Sequence, residues 1–439
     1  MPNAPFRVVI IGGGIGGLCL AQGLKKAGVD VAVYERDRTP SARLQGYRIH
    51  INPRGSRALH ECLPPRLYDA FIATVGKSGG GYGFFDEWLR ELLFVENYGA
   101  NGKPDPIDSH KSVSRIALRR VLLDGLEDVV HFGKEFARYE EASDGRIVAH
   151  FGDGTSATGD VLVGADGGNS RVRRQLLPHA ERVDTGILAV AGKVALNDEV
   201  RALLPPKLFV GPASVMAPKG LGMFVAVHEF DRGPARLVGP LGDDGSAGLP
   251  KGLLFDDTQD YAMWAFTARR EKYGFRRAPE GMDGSALRDA VLSMTEGWHP
   301  RLRDLVQKAD PSTVTPLPIR SSVPVERWET NNVTLIGDAI HSMTPMRGIG
   351  ANVALRDAAL LCHNLVAADR GEKPLLAAIG DYEGEMVRYG FEAVRASMKA
   401  AQQATSENAV ALAVAKCAFR LINSVPPLKR VVFGGMGDG

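Results

Sequence analysis

Three glycines near the start of the chain have the spacing of a phosphate-binding turn. Gly12, Gly14 and Gly17 form the pattern G-x-G-x-x-G directly after a β-branched run at residues 8–11. The first glycine permits a tight turn, the second lets a diphosphate approach the backbone, and the third lets a helix pack close to a strand. The pattern therefore favours binding of a diphosphate by the unpaired N–H groups of a helix N-terminus.

The flanking residues predict the elements that such a turn needs. Residues 8–11 are typical of a buried parallel strand, and residues 18–27 predict a helix that Gly28 ends. A second strand over residues 29–34 closes on Glu35. Its carboxylate can accept hydrogen bonds from an adenosine ribose and would repel a 2′-phosphate, so this site should not hold NADP. The alternative is a glycine-rich loop without a ligand.

A second strand–turn–helix pattern lies near the end of the chain. Residues 333–336 predict a buried strand that ends at Asp338, whose carboxylate can accept a hydrogen bond from a hydroxyl group. For His341 we favour a buried turn histidine over a metal ligand. The turn contains Pro345 and Gly348, and the helix that follows, which runs to about residue 368, opens with Gly350, Ala351 and Asn352. This N-terminus should also face a polar or anionic group.

Three further charged residues stand where they could serve the fold or contact a ligand. Asp166, with Gly167, follows a buried strand and would by itself be a helix cap or turn residue. Arg115 lies in the first turn of a helix predicted over residues 112–126, where a cation opposes the helix dipole, and this suggests an anionic or polar partner. Arg48, in a strand predicted over residues 46–51, is either a solvated edge charge or a contact to a cofactor or substrate.

Composition excludes several classes of protein. The 439 residues allow two or more domains, and a net charge of +2 without a long basic block gives no indication of nucleic-acid binding. The apolar stretch at residues 8–24 has too many glycines for a signal segment, and we expect no transmembrane helix. The four cysteines are scattered without a C-x-x-C pair, which argues against a metal site or a disulfide framework; they are Cys19, Cys62, Cys362 and Cys417. We therefore expect a cytoplasmic, reducing location.

Three motifs in this order resemble the single-component FAD-dependent aromatic hydroxylases of the para-hydroxybenzoate hydroxylase type. They are the glycine turn with Glu35, then G-A-D-G ending at Gly167, and then G-D-A-x-H-x-x-x-P followed by G-x-G-x-N ending at Asn352. The resemblance spans residues 7–368. It departs from the family at Ile349, where glutamine is common, with Arg347 before it. This leaves open the side-chain environment near the flavin pyrimidine ring.

The resemblance implies roles for individual residues. Glu35 would bind the adenosine ribose and Asp338 the ribityl chain, while Arg115 would contact FAD. Asp166 would serve both FAD and NADPH, and the backbone of residues 350–352 would face the flavin N1–C2=O edge. The residues that we assign to FAD are Gly12, Gly14, Ile15, Gly16, Gly17, Glu35, Arg36, Gly46, Arg48, Arg115, Asp166, Gly167, Asp338, Pro345, Gly348, Gly350, Ala351 and Asn352.

The fold class implied is α/β, a Rossmann-like FAD-binding domain with an inserted β-sheet substrate domain and C-terminal helices. The FAD-binding domain would comprise residues 1–75, 107–185 and 316–380. The substrate domain would comprise residues 76–106 and 186–315. Its first part is an aromatic segment that predicts strands of a different layer. In its second part, strands alternate with glycine- and proline-rich turns and are predicted over residues 188–196, 208–210, 222–229, 236–240 and 261–267. Residues 381–439 would form a helical region. Oligomeric state is left open.

The implied activity is a monooxygenase reaction, in which NAD(P)H reduces FAD and O2 then forms a C4a-hydroperoxyflavin that transfers oxygen to an aromatic or conjugated small molecule. The substrate candidates are Met216, Phe224, Val225, His228 and Trp264. Half of the residues in any strand face away, and packing in the core explains Phe224 and Val225 equally well. The catalytic candidates are Arg48, Arg347 and His228, and no metal ligand is assigned.

Three other activities are compatible with the same motifs. A flavin oxidase or dehydrogenase would use the scaffold without inserting oxygen. A non-enzymatic FAD-binding protein would dock a lipid or a partner through its C-terminal helices, and a geranylgeranyl-reductase-like enzyme shares parts of the scaffold. Labelled oxygen in the product would distinguish a monooxygenase from a flavin oxidase or dehydrogenase. NAD(P)H consumption that a ligand stimulates would exclude the non-enzymatic FAD-binding protein.

Overall fold

The computed structural model describes residues 6–40, 48–76, 80–96, 107–229, 260–275, 277–425 and 429. The strands are β1 (Arg7–Ile11), β2 (Asp30–Glu35), β3 (Arg48–Ile51), β4 (Gly81–Asp86), β5 (Glu91–Glu96), β6 (Lys111–Ser114), β7 (Val130–Phe132), β8 (Phe136–Glu141), β9 (Ile147–Phe151), β10 (Ser156–Gly159), β11 (Val161–Gly164), β12 (Arg182–Ala195), β13 (Ala213–Ala217), β14 (Leu221–His228), β15 (Tyr261–Arg269), β16 (Thr315–Ser322) and β17 (Val333–Leu335).

The helices are α1 (Ile15–Ala27), α2 (Pro53–Cys62), α3 (Pro65–Ala73), α4 (Arg115–Leu123), α5 (Arg171–Leu176), α6 (Asp198–Leu203), α7 (Lys207–Val210), α8 (Gly284–Met294), α9 (Pro300–Gln307), α10 (Asp338–His341), α11 (Gly350–Asp369), α12 (Leu375–Ala404) and α13 (Ala409–Ser424). Short 3-10 helices occur at Arg270–Tyr273, Pro279–Gly281, Pro311–Thr313 and Pro345–Arg347. No helix in the described part of the chain has both the length and the apolar character needed to cross a membrane.

The chain divides into two compact units. Unit 1 contains residues 1–73, 114–183 and 320–398, and unit 2 contains residues 74–113, 184–319 and 399–439. The helical region that we expected from residue 381 onward is therefore shared, because α12 begins in unit 1 and continues into unit 2. Gly46 lies outside the described residues.

Unit 1 is built on a parallel sheet of five strands in the order β17-β11-β1-β2-β7. Val9 pairs with Leu162 on one side and with Ala32 on the other, and all three are buried. The β-branched and aliphatic runs of these strands fit a sheet that is covered on both faces. Because the strands are parallel, their carboxyl ends share one edge, where ligands bind in open α/β sheets. The predicted α/β fold class is confirmed.

Local sequence sets the ends of the helices in unit 1. Gly28 ends α1 in the left-handed conformation with φ of 85°, as expected for a C-cap glycine. Asn52 caps α2 by accepting a hydrogen bond from the N–H of Gly55. The predicted helix over residues 112–126 begins later than expected, at Arg115, because Lys111–Ser114 is a strand and the hydroxyl of Ser114 accepts from the first turn of α4.

Unit 2 is built on a sheet of seven strands in the order β16-β12-β15-β14-β13-β4-β5. The aromatic segment that we placed in a different layer contributes β4 and β5 to this sheet. One face packs on α8 and α9, with Trp264 and Phe266 fully buried in its core. The strand predicted over residues 208–210 is wrong, since Lys207–Val210 forms a helical turn begun by Pro206, whose φ of −53° suits a helix. The strand predicted over residues 236–240 lies outside the described residues.

Candidate functional site

The three glycines of the first turn differ in what an added side chain would meet. Gly12 has φ of +111°, and a Cβ on it would lie 2.4 Å from the carbonyl oxygen of Ala165. A Cβ on Gly17 would lie 2.2 Å from the carbonyl oxygen of Gly12, so both positions are closed to a side chain. Gly14 differs, because a Cβ on it would meet no atom within 4 Å. The turn thus leaves open space at the glycine that a diphosphate should approach, beside the N-terminus of α1, whose first two residues are Ile15 and Gly16.

Glu35 faces this turn from the end of β2. Its Oε2 accepts a hydrogen bond of 2.7 Å from the N–H of Gly13, and its Oε1 accepts one of 2.9 Å from the N–H of Asp37. The side chain is largely buried, at 8% exposure, so two backbone amides hold the carboxylate in one orientation. Arg36, the next residue, is exposed.

Arg119 is a residue of this site that the sequence analysis missed. Its Nε donates to the carbonyl oxygen of Gly13 over 3.1 Å, and its Nη1 donates to the carbonyl oxygen of Pro40. Burial lowers the pKa of Arg119, against the opposing effect of the Glu35 carboxylate. Arg119 stands four residues after Arg115, which is exposed on α4. Because residues four apart lie on the same side of a helix, this spacing could have identified Arg119 as a second candidate.

The two carboxylate oxygens of Asp166 have different surroundings. Its Oδ2 accepts a hydrogen bond of 2.7 Å from the N–H of Arg171, as a capping residue does at the start of α5. Its Oδ1 is buried and has no hydrogen-bond partner among the described residues. Burial raises the pKa of Asp166. A hydroxyl donor from a ligand would satisfy this oxygen. Gly167 follows with φ of +75°.

The second turn places Asp338 and the N-terminus of α11 at the carboxyl end of β17. Asp338 is exposed and begins α10, after Gly337 with φ of +60°. The side chain of Asn352 is committed to the protein, because its Oδ1 accepts from the N–H of Asn52 at 2.9 Å and its Nδ2 donates to the carbonyl oxygen of His50 at 2.8 Å. The first N–H groups of α11, which have no partner within the helix, are donors that could face a ligand at this position.

The residues between these two elements lie partly in solvent. Pro345 and Arg347 are exposed and form a 3-10 turn that Gly348 ends with φ of +62°. Gly350 and Ala351, the first two residues of α11, are half-buried. Arg48 is half-buried at the start of β3, so its two interpretations both remain.

The strand order arranges these groups in a row. Glu35 ends β2, the glycine turn follows β1, Asp166 follows β11 and Asp338 follows β17, and these four strands are neighbours. Three steps between strands of about 4.8 Å each span roughly 14 Å. A hydrogen-bond acceptor for a ribose, an open diphosphate turn, an unpartnered buried oxygen and a second helix N-terminus therefore line one edge. FAD, with its two halves joined by a diphosphate, fits this donor and acceptor set.

His341 is a buried turn histidine, as we favoured. Its Nε2 lies 2.7 Å from Oδ2 of Asp357, and its side chain is 1% exposed. Burial acts to lower the pKa of His341, but contact with Asp357, together with Asp338, outweighs burial and raises it above its usual value. Among the described residues, no group of three or more His, Cys, Asp or Glu side chains is arranged to hold a metal ion.

The substrate candidates of unit 2 lie on opposite faces of its sheet. Met216 and Phe224 are half-buried and share a face with His228, because Met216 pairs with Gly222 and strand residues alternate. Trp264 pairs with Val225 in register, and both are buried in the core on the other face. The assignment of Trp264 to the same lining as the other three is therefore corrected, and the core interpretation applies to Val225.

His228 is completely buried at the end of β14. Its Nδ1 lies 3.4 Å from the hydroxyl of Ser112, and its ring lies 5.4 Å from the ring of Tyr261. The ammonium of Lys193 lies 4.7 Å from the centre of the Tyr261 ring. This face of the sheet is therefore mixed, because it carries these polar groups as well as the apolar side chains of Phe224 and Met216.

Comparison with known proteins agrees with this geometry. The model of the FAD binding domain family matches residues 293–395, around the second turn, and that of the NAD(P)-binding Rossmann-like domain family matches residues 10–71, around the first. The dual O-methyltransferase/FAD-dependent monooxygenase of Cercospora beticola is 34% identical over 398 residues, which are 86% of this chain and 44% of that protein. The chain thus spans less than half of such curated relatives.

Two solved structures extend the comparison. A Photorhabdus luminescens protein assigned as an FAD-containing monooxygenase is 36% identical, with a TM-score of 0.79 over 92% of this chain and 100% of that one. The HpxO protein of Klebsiella pneumoniae, in complex with FAD and uric acid, shares the fold at 23% identity, with a TM-score of 0.75 over 99% of this chain and 96% of that one. The chain belongs to the FAD-dependent monooxygenases of the aromatic-hydroxylase type.

Proposed function

We propose that this protein uses FAD, NAD(P)H and O2 to insert one oxygen atom into an aromatic or conjugated small molecule. The observation that carries the proposal is the row of Glu35, the glycine turn, Asp166 and Asp338 along one edge of the parallel sheet. Bound FAD would supply the electron transfer and the activation of oxygen, and the chain would supply binding, orientation and electrostatics. A cytoplasmic location, where NAD(P)H is available, goes with this proposal.

The two helix N-termini would have different tasks. The amides at the start of α1 would bind the diphosphate, and those at the start of α11 would face the flavin N1–C2=O edge. A helix dipole stabilises negative charge at its N-terminus by roughly 0.3–2 kcal/mol, which favours the anionic reduced flavin. With 20 residues, α11 is long enough to present a full dipole. Arg36, Arg115 and Arg347 are exposed cations of the same unit and are proposed as contacts to the anionic cofactor.

The substrate would meet the mixed face of the unit 2 sheet. Phe224 and Met216 are half-buried there, and an aromatic ring and a thioether suit the face of a planar conjugated molecule. His228, at the end of β14 on the same face, is proposed as the polar residue that orients a substrate hydroxyl. Arg48, at the start of β3 in unit 1, is proposed as a contact to the cofactor. No side chain is required as a nucleophile.

The test is a screen of the purified chain, loaded with FAD, for oxidation of NADPH and NADH in the presence of phenolic, polyketide and indole compounds. The expected result is consumption stimulated by one class of ligand, with a product that is heavier by one oxygen atom. Repeating the reaction under 18O2 should place the label in that product. Ligand oxidation without incorporated label would instead support a flavin oxidase or dehydrogenase, and failure to bind FAD would overturn the proposal.

A further inference from the structure

A completely buried carboxylate lies beneath the second turn. Asp357, in the third turn of α11, is 0% exposed. Its Oδ2 accepts hydrogen bonds of 2.7 Å from both the N–H of Gly337 and Nε2 of His341. Its Oδ1 accepts a hydrogen bond of 2.5 Å from the hydroxyl of Tyr389 on α12. One side chain therefore joins the turn, α10, α11 and α12.

The bond to Gly337 matters because of where that residue stands. Gly337 directly precedes Asp338 and has φ of 60° and ψ of −141°, a conformation that residues with side chains rarely adopt. Its buried N–H would have no acceptor without Asp357, and such a group is unfavourable. The direction in which Asp338 leaves β17 is thus tied to a carboxylate on α11.

The other two bonds hold the carboxylate itself. Burial, and then the Asp357 carboxylate, raise the pKa of Tyr389, so its hydroxyl remains a donor. The guanidinium of Arg356 covers the Tyr389 ring at 3.7 Å from its centre. The N–H of Gly337 and the hydroxyl of Tyr389 are donors to this carboxylate, and Nε2 of His341 is assigned as the third donor. Both oxygens of Asp357 are therefore fixed.

We propose that Asp357 is a positioning residue that sets the separation between Asp338 and the N-terminal amides of α11, and thereby the fit of the flavin end of FAD. The inference rests on the proposed function, because it takes both groups as contacts to one FAD. Asp357 itself does not touch the cofactor in this account. It acts through the backbone of Gly337 and through the helix on which it stands.

Unit 1 offers a matched control in Glu383. This carboxylate of α12 is also 0% exposed and accepts three hydrogen bonds, from Trp328 Nε1 at 3.2 Å, Thr330 Oγ1 at 2.7 Å and Thr334 Oγ1 at 2.9 Å. Its partners hold the body of β17 and the segment before it rather than the turn. Loss of its charge should reduce stability without moving Asp338 relative to α11.

The test compares Asp357→Asn and Glu383→Gln with the full wild-type chain. FAD is titrated into each apoprotein, and the dissociation constant, the visible absorption spectrum of bound FAD and the melting temperature are measured. We expect Asp357→Asn to weaken FAD binding at least about tenfold and to shift the flavin spectrum. Glu383→Gln should keep the dissociation constant within about twofold while lowering the melting temperature.

Equal FAD affinities and spectra for Asp357→Asn and the wild type would overturn this inference alone. A wild-type chain that takes up no FAD would overturn the proposed function, and this inference with it. Should Asp357→Asn fail to fold, Tyr389→Phe decides, because it removes one of the bonds that orient the carboxylate and adds no buried polar group. An increase of about threefold in its dissociation constant supports the inference, and an unchanged value and spectrum overturn it.

Discussion

The carboxylate of Glu35 accepts a hydrogen bond of 2.7 Å from the N–H of Gly13. The acid that ends β2 is thus fixed against the turn that follows β1, on neighbouring strands of the parallel sheet. The ribose site and the diphosphate site of the proposed FAD complex therefore form one rigid element.

Glu35→Gln should weaken FAD binding by about 10- to 100-fold, because a charge-assisted hydrogen bond to a hydroxyl is replaced by a neutral one. Fluorescence titration of the apoprotein with FAD measures the change. Glu141→Gln, an exposed glutamate of the same unit, is the matched control and should bind FAD like the wild type. Equal affinity of the two variants would contradict the role of Glu35.

Gly14→Ala and Gly17→Ala should separate cofactor binding from folding. A Cβ at Gly14 meets no protein atom within 4 Å, so the apoprotein should keep its melting temperature while FAD binding weakens at least about tenfold. A Cβ at Gly17 would lie 2.2 Å from a carbonyl oxygen, so this variant should lose about 2–4 kcal/mol of unfolding free energy. Thermal denaturation without FAD checks both. A lower melting temperature for the Gly14→Ala apoprotein would contradict the open space at Gly14.

Phe224→Ala and Trp264→Ala should have opposite consequences in unit 2. Trp264 is 0% exposed in the core, and truncating it should cost about 3–5 kcal/mol of unfolding free energy. Phe224→Ala should cost less and should raise the KM of the ligand that stimulates NAD(P)H oxidation. Urea denaturation and steady-state kinetics measure the two effects. A KM that rises only in Trp264→Ala would reverse the assignment of the two faces.

One of the four cysteines should react with Ellman's reagent in the native protein. Cys417 is exposed, whereas Cys19, Cys62 and Cys362 are buried. Contact with the Cys19 thiol, together with burial, raises the pKa of Cys62 well above its usual value, so its reactive thiolate is scarce. Unfolding in guanidinium should release the other three. Cys417→Ser should abolish the fast reaction, and fast labelling that persists in that variant would disprove the assignment.

The stability that His341 contributes should depend on pH. Its pKa is raised in the folded chain above the usual value of 6.5, so the stabilisation is complete below that value and is lost as pH rises through the folded pKa. Urea denaturation of the wild type and His341→Gln from about pH 5.5 to pH 8.5 should show the largest difference at the acidic end. A difference that grows toward the alkaline end would contradict a raised pKa.

The sequence was sufficient for features that depend on local spacing. The two strand–turn–helix motifs and the acid that ends β2 are where their patterns predicted, because each pattern encodes its own turn chemistry. Arg119 was missed because its place in the site depends on a hydrogen bond to the carbonyl oxygen of Gly13, which is far away in the sequence. The face on which Trp264 lies depends on where α8 and α9 pack, which strand alternation alone does not reveal.

The cysteines illustrate the same limit of local patterns. They are scattered in sequence, yet Cys62 and Cys362 both lie next to Gly23, where a Cβ would be 2.7 Å from the sulfur of Cys362. Only the packing of α1 with α2 and α11 brings these thiols together. Spacing rules for cysteine pairs detect motifs within one segment of the sequence. They do not detect thiols that only the packing of separate helices brings together.

The strand order β17-β11-β1-β2 has a consequence for biosynthesis. During synthesis, β1 and β2 leave the ribosome early. In contrast, β17 and Asp338 emerge only after the whole seven-stranded sheet of unit 2 has been made. In the proposed complex, a nascent chain could bind the adenosine end of FAD long before it could bind the flavin end. In the proposed FAD complex, the flavin end could be bound tightly only after β17 has paired with β11 at the edge of the sheet. Because these two strands are remote in sequence, their pairing should also slow refolding.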